Sequence, residues 1–110
     1  MTNVQRHPNI ELLWAPDCPN ADTARRRLEA ACHRMGLPVR WTERNLADPQ
    51  TPASCRGYGS PTVLVDGRDV AARTPADSGE CCRIYRADDG TFQGAPSVET
   101  IAAALRAATE

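Results

Sequence analysis

The chain contains no lysine, and all thirteen of its basic residues are arginines. This reads as the codon usage of a GC-rich genome rather than a functional choice. Net charge is also nearly absent, at −1, which leaves no electrostatic footprint for nucleic acid or for an anionic membrane surface. Long apolar runs are missing, so no segment is expected to span a bilayer. The first residues, Met1-Thr2-Asn3-Val4-Gln5-Arg6-His7-Pro8, lack the apolar stretch of a secretory signal, and the expected compartment is the cytoplasm. Glycine-rich phosphate loops, zinc-ligand spacings and Ser/His/Asp sets are absent too. His7 and His33 have no metal-ligand spacing.

What is present is an ordinary globular balance, 41% hydrophobic and 25% charged over 110 residues. That length suits a single domain, 1–110. Five cysteines stand out: Cys18, Cys32, Cys55, Cys81 and Cys82. An odd count without a secretory context argues against a disulfide framework. In a reducing compartment such cysteines divide into buried structural thiols and reactive or metal-binding ones.

The apolar run Ile10 to Trp14, bounded by Asn9 and Pro16, predicts a buried strand. After Asp17-Cys18-Pro19-Asn20, the residues Ala21, Ala24, Leu28, Ala31, Cys32 and Met35 recur at helical spacing, with the arginines opposite. Pro19 suits the first turn, and Gly36 with Pro38 supplies the stop. Alternation from Val39 to Asn45 predicts a second strand, and only a short helix fits between Thr51 and Gly57. Asp66-Gly67, flanked by Val63 to Val65 and by Val70, is a strong hairpin signal. An irregular insertion at about 71–96 contains one short apolar stretch around Cys82-Arg83-Ile84-Tyr85. Ser97 then caps a last helix with an apolar stripe of Val98, Ile101, Ala102 and Leu105. The element order β-α-β-α-β-β-α implies an α/β fold, a mixed central sheet covered by helices on both faces.

That order is similar to the thioredoxin arrangement, and two motifs sharpen the resemblance. Trp14-Ala15-Pro16-Asp17-Cys18 resembles the run that carries the thioredoxin nucleophile at the end of the first core strand. Ser60-Pro61-Thr62 resembles the cis-proline segment that faces that cysteine. The resemblance covers about residues 9–70 and 97–108, and implies a thioredoxin-like fold with Cys18 as nucleophile and Pro61 as the facing turn. A helix N-terminus favours a thiolate at Cys18, whereas the Asp17 carboxylate beside it opposes one. The second cysteine of the family's active site falls at Ala21, so the usual neighbouring disulfide has no partner.

The other cysteines are weighed differently. Cys32, on the apolar stripe with Leu28 and Met35, reads as structural. Cys55, six residues before Pro61, belongs either to the active face or to packing. Cys81 and Cys82 lie in the insertion. If Cys82 and Ile84 face inward on a short strand, Cys81 and Tyr85 face outward. One of the two cysteines would then be free to reach Cys18 as a resolving thiol or second metal ligand; the competing reading is packing alone. Cys81-Cys82-Arg83-Ile84-Tyr85 is similar to the Cys-Cys strand of alkylmercury lyases, which also use an earlier cysteine. In that family an acidic residue follows the first cysteine by three positions, where this chain has Ala21.

The leading expectation is therefore a thiol–disulfide oxidoreductase with Cys18 and Pro61 in its site and Cys55, Cys81 or Cys82 as candidate resolving thiols. It would use no resident cofactor, with glutathione as a conceivable co-substrate and protein or small-molecule thiols and disulfides as partners. The alternatives are soft-metal or Hg(II) capture by Cys18 with Cys82 or Cys81, and a non-catalytic binding domain that kept the fold.

Overall fold

A computed structural model describes residues 7–73, 83–86 and 89–110. Strand β1 (Ile10–Trp14) leads through a turn into helix α1 (Ala21–Arg34), and strand β2 (Thr42–Asn45) follows. A three-residue 3-10 helix (Ala53–Cys55) precedes strands β3 (Thr62–Val65) and β4 (Arg68–Asp69). Strands β5 (Tyr85–Arg86) and β6 (Phe92–Gln93) form a separate antiparallel ribbon, and helix α2 (Val98–Thr109) ends the chain. The main sheet has the order β2-β1-β3-β4. β1 pairs parallel with β2, as a helical crossover requires, and antiparallel with β3.

Sequence chemistry explains the joints. Asp66 and Gly67 both have positive φ, +51° and +81°, the geometry of a two-residue hairpin turn that favours Asp-Gly. Helix α1 stops where Gly36 turns left-handed, at φ +67°. Leu37 N–H donates to Cys32 O (2.9 Å) and Gly36 N–H to His33 O (3.1 Å), the paired bonds of a Schellman stop. Ser97 caps α2 by accepting Thr100 N–H on its hydroxyl (3.1 Å).

Alternation along the strands sorts the two faces of the sheet. Ile10 and Leu12 pair with Val65 and Val63, and all four face one core with Ala24, Leu28 and Ala31 of α1 and with Ile101 and Leu105 of α2. Leu13 and Leu64 face the other way, against Cys55, Leu46 and Tyr58. Both α-helices thus cover the same face, which corrects the expectation of helices on both. The stretch between Thr51 and Gly57 has room only for a single 3-10 turn, so loop residues cover the second face.

Two further differences have local causes. The second strand begins at Thr42 rather than Val39. Leu37, delivered by the helix stop, is the residue that enters the core, and Val39 is left exposed. In the insertion, Ile84 is 69% exposed while Arg83 and Tyr85 are buried, the reverse of the predicted alternation. Cys81 and Cys82 lie outside the described residues. Arg25 joins α1 to β2 through a two-pronged contact with Glu43, both arms 2.9 Å, and stands 5.4 Å from the Trp14 ring. No helix of the described residues is long and apolar enough to cross a membrane.

Candidate functional site

The turn after β1 is built from backbone bonds. Cys18 N–H donates to Ala15 O (3.0 Å), and Ala24 N–H reaches back to Asn20 O (3.1 Å) to open α1. Cys18 is buried, with 8% of its surface exposed. Asn20 makes no side-chain cap bond; its amide packs against Gly94, where a Cβ would stand 2.2 Å from Asn20 Nδ2. A side chain at Gly94 would require the Asn20 amide to swing aside. Arg27 fixes the same segment by donating to Ala95 O (3.0 Å).

The peptide bond between Ser60 and Pro61 is cis. Ser60, Pro61 and Thr62 are all buried. Ala15 N–H donates to Ser60 Oγ (2.9 Å), so the loop that carries Cys18 is bonded directly to the proline turn. These two sequence-predicted segments are therefore brought together at one end of the sheet. Cys32 and Cys55 are not part of that meeting. Cys32 lies in the helix-covered core, where burial pushes its thiol up from the ordinary value. Cys55 packs with Leu13 and Leu64 on the opposite face. Cys18, Cys32 and Cys55 are all free thiols.

Three residues that sequence reasoning left out of the site hold the proline turn from behind. Arg83 N–H donates to Ser60 O (2.9 Å), and Arg83 Nη1 donates to Thr62 Oγ1 (2.9 Å) and to Asp69 Oδ2 (2.7 Å). Tyr85 donates its hydroxyl to Pro61 O (2.5 Å), and the Arg83 guanidinium lies 4.4 Å from the Tyr85 ring centre. The Arg83–Asp69 pair is closed to solvent, with side chains 3% and 0% exposed. The only sequence signals were an arginine and a tyrosine two apart in an otherwise apolar stretch, and an aspartate just past a hairpin turn.

Burial pushes the Tyr85 phenol up to about 12, with Arg83 working against the shift. Tyr85 therefore stays a protonated donor to Pro61 throughout the neutral range. Because the folded value lies above the ordinary value of about 10, this contribution is fully present below pH 10. It is lost as pH rises through about 12. We expect alkaline unfolding to set in over that window and to move to higher pH in Tyr85→Phe, followed by ultraviolet absorbance of the phenolate. An unchanged alkaline midpoint in the variant would contradict the burial assigned to Tyr85.

No family model, curated protein or solved structure matches this chain. The reading of the site therefore rests on its own geometry and chemistry. Among the described residues no group of three or more His, Cys, Asp or Glu side chains is placed to hold a metal ion.

Proposed function

We propose that the chain is a cytoplasmic, thioredoxin-like thiol protein whose reaction is thiol–disulfide exchange through Cys18. The observation that carries this reading is the bond between the loop of Cys18 and the turn at cis-Pro61, made by Ala15 N–H and Ser60 Oγ. That bond ties the loop carrying the buried thiol of Cys18 to the cis-proline turn at the same end of the sheet, which supports the reading. The sheet order and the single crossover helix between β1 and β2 are consistent with the same reading.

In the first step the Cys18 thiolate attacks one sulfur of a disulfide, forming a mixed disulfide and releasing the other sulfur as a thiolate. A second thiol, from glutathione or another cysteine, attacks the substrate sulfur still bonded to Cys18, forming a new disulfide with it and restoring the Cys18 thiolate. Electrons balance because the second thiol is oxidised as the substrate disulfide is reduced. Ala21 supplies no neighbouring thiol, so the second sulfur comes from elsewhere. Cys81 and Cys82 are candidates by sequence alone.

Reduced protein mixed with a small mixed disulfide and excess glutathione should release thiol catalytically, and Cys18→Ser should lose at least about a hundredfold in rate. Cys32→Ser and Cys55→Ser should retain it. Stoichiometric Hg(II) uptake that requires Cys18, without disulfide exchange, would replace this reading by soft-metal capture. A Cys18 that resists alkylation in the native state would leave only a binding domain.

A further inference from the structure

A cavity of about 540 Å³ opens between the β5–β6 ribbon, the residues that follow β4 and the first turn of α2. Its size is that of a small-molecule site. Three arginines line it, Arg73, Arg83 and Arg86, together with Tyr85, Ser97 and Thr100. No aspartate or glutamate is among the described lining residues. Arg83 already faces Asp69, so Arg73 and Arg86 are the two lining cations that no carboxylate of the described residues pairs.

The three arginines are not equally committed. Arg83 is spent on Asp69 and Thr62 through Nη1, yet its Nε is a buried donor with no hydrogen-bond partner. Among the described residues Arg73 makes no ion pair, and Arg86 only stands 6.0 Å over the Phe92 ring. Both are exposed. The first turn of α2 adds polarity of the same sign, since the N–H groups of Val98 and Glu99 have no intrahelical acceptor. Glu99, the acidic residue of that turn, lies 3.9 Å from Arg34 and is not among the lining residues.

We propose that this cavity binds a small molecule carrying a doubly charged oxyanion, a dicarboxylate or a phosphate group. The planar fork of arginine matches both, and Arg73 and Arg86 are the residues that grip it. Apolar wall from Ala95 and Pro96 accommodates the body of the ligand. The inference is independent of the chemistry of Cys18.

The test is calorimetric titration of the full chain at low ionic strength with succinate and, separately, with inorganic phosphate. One-to-one binding of at least one of them is expected. Arg73→Gln and Arg86→Gln should each weaken it by about tenfold or more, the scale of a lost hydrogen bond to a charged group. Arg40→Gln, an exposed change outside the cavity, and Cys18→Ser should leave it unchanged. Preference for succinate identifies a carboxylate ligand, and preference for phosphate a phosphoryl one. Absence of one-to-one binding with both anions overturns the proposal, as does binding that both cavity substitutions leave intact.

Discussion

Replacing Arg83 by alanine is expected to lower stability by about 3–5 kcal/mol, read from the denaturant midpoint at unchanged slope. The magnitude comes from what would remain. Asp69 is buried and depends on Arg83 for its only cation among the described residues; its other contact is the N–H of Ala71 at 3.0 Å. Truncation leaves a carboxylate without its counter-charge, and Thr62 Oγ1 loses a donor as well. The attraction between the two charges is not itself worth that much, because desolvating both offsets most of it. The double variant Asp69→Leu with Arg83→Met should therefore be clearly more stable than Arg83→Ala alone. Strictly additive losses from the two positions would mean that the pair is not coupled as the 2.7 Å contact requires. Because the Arg83 side chain also holds Thr62, next to Pro61, we expect Arg83→Ala to change the alkylation rate of Cys18 under conditions where the chain remains folded.

A loss of about 2–5 kcal/mol is likewise expected for Leu28→Ala, from the apolar transfer of the missing carbons plus the cavity they leave. Leu28 is fully buried at the middle of α1, in the cluster formed by Leu12, Val63 and Ile101. Two helices and the sheet converge there, so the surrounding side chains have little freedom to collapse inward. Glu29→Ala, one position along on the exposed face, should stay within about 0.5 kcal/mol. Thermal and denaturant unfolding of the pair separate the two positions. Similar midpoints for both variants would contradict the packing of both helices on one face, since that arrangement makes Leu28 the residue they share.

The two predictions differ in how far they could be anticipated. Leu28 belongs to a helical stripe that periodicity exposes directly, and its partners in β1 and β3 are apolar runs that any core would use. Arg83 and Asp69 are fourteen residues apart and belong to different elements; each alone reads as a solvated charge. Ile84 misled the alternation for a related reason. In a short ribbon of two strands, burial is decided by what the neighbouring loop offers. The turn at Pro61 offers carbonyl acceptors, which Arg83 N–H and the Tyr85 hydroxyl satisfy, so the polar residues turn inward and the isoleucine outward.

Cys18 shows where the line falls. Its place in the chain, after an apolar strand and before an amphipathic helix, was settled by local patterning, as were the Asp66-Gly67 turn, the Gly36 stop and the Ser97 cap. Those features depend on residues within a few positions of each other, where backbone sterics and hydrogen bonding act on the sequence directly. Tertiary structure alone decided that Ser60 would bond to the loop of Cys18, that both helices would share one face, and that Arg83, Asp69 and Tyr85 would support the proline turn. Each of these joins groups far apart in sequence. Their energies depend on burial and on the partner's exact position, and neither exists until the chain has closed on itself.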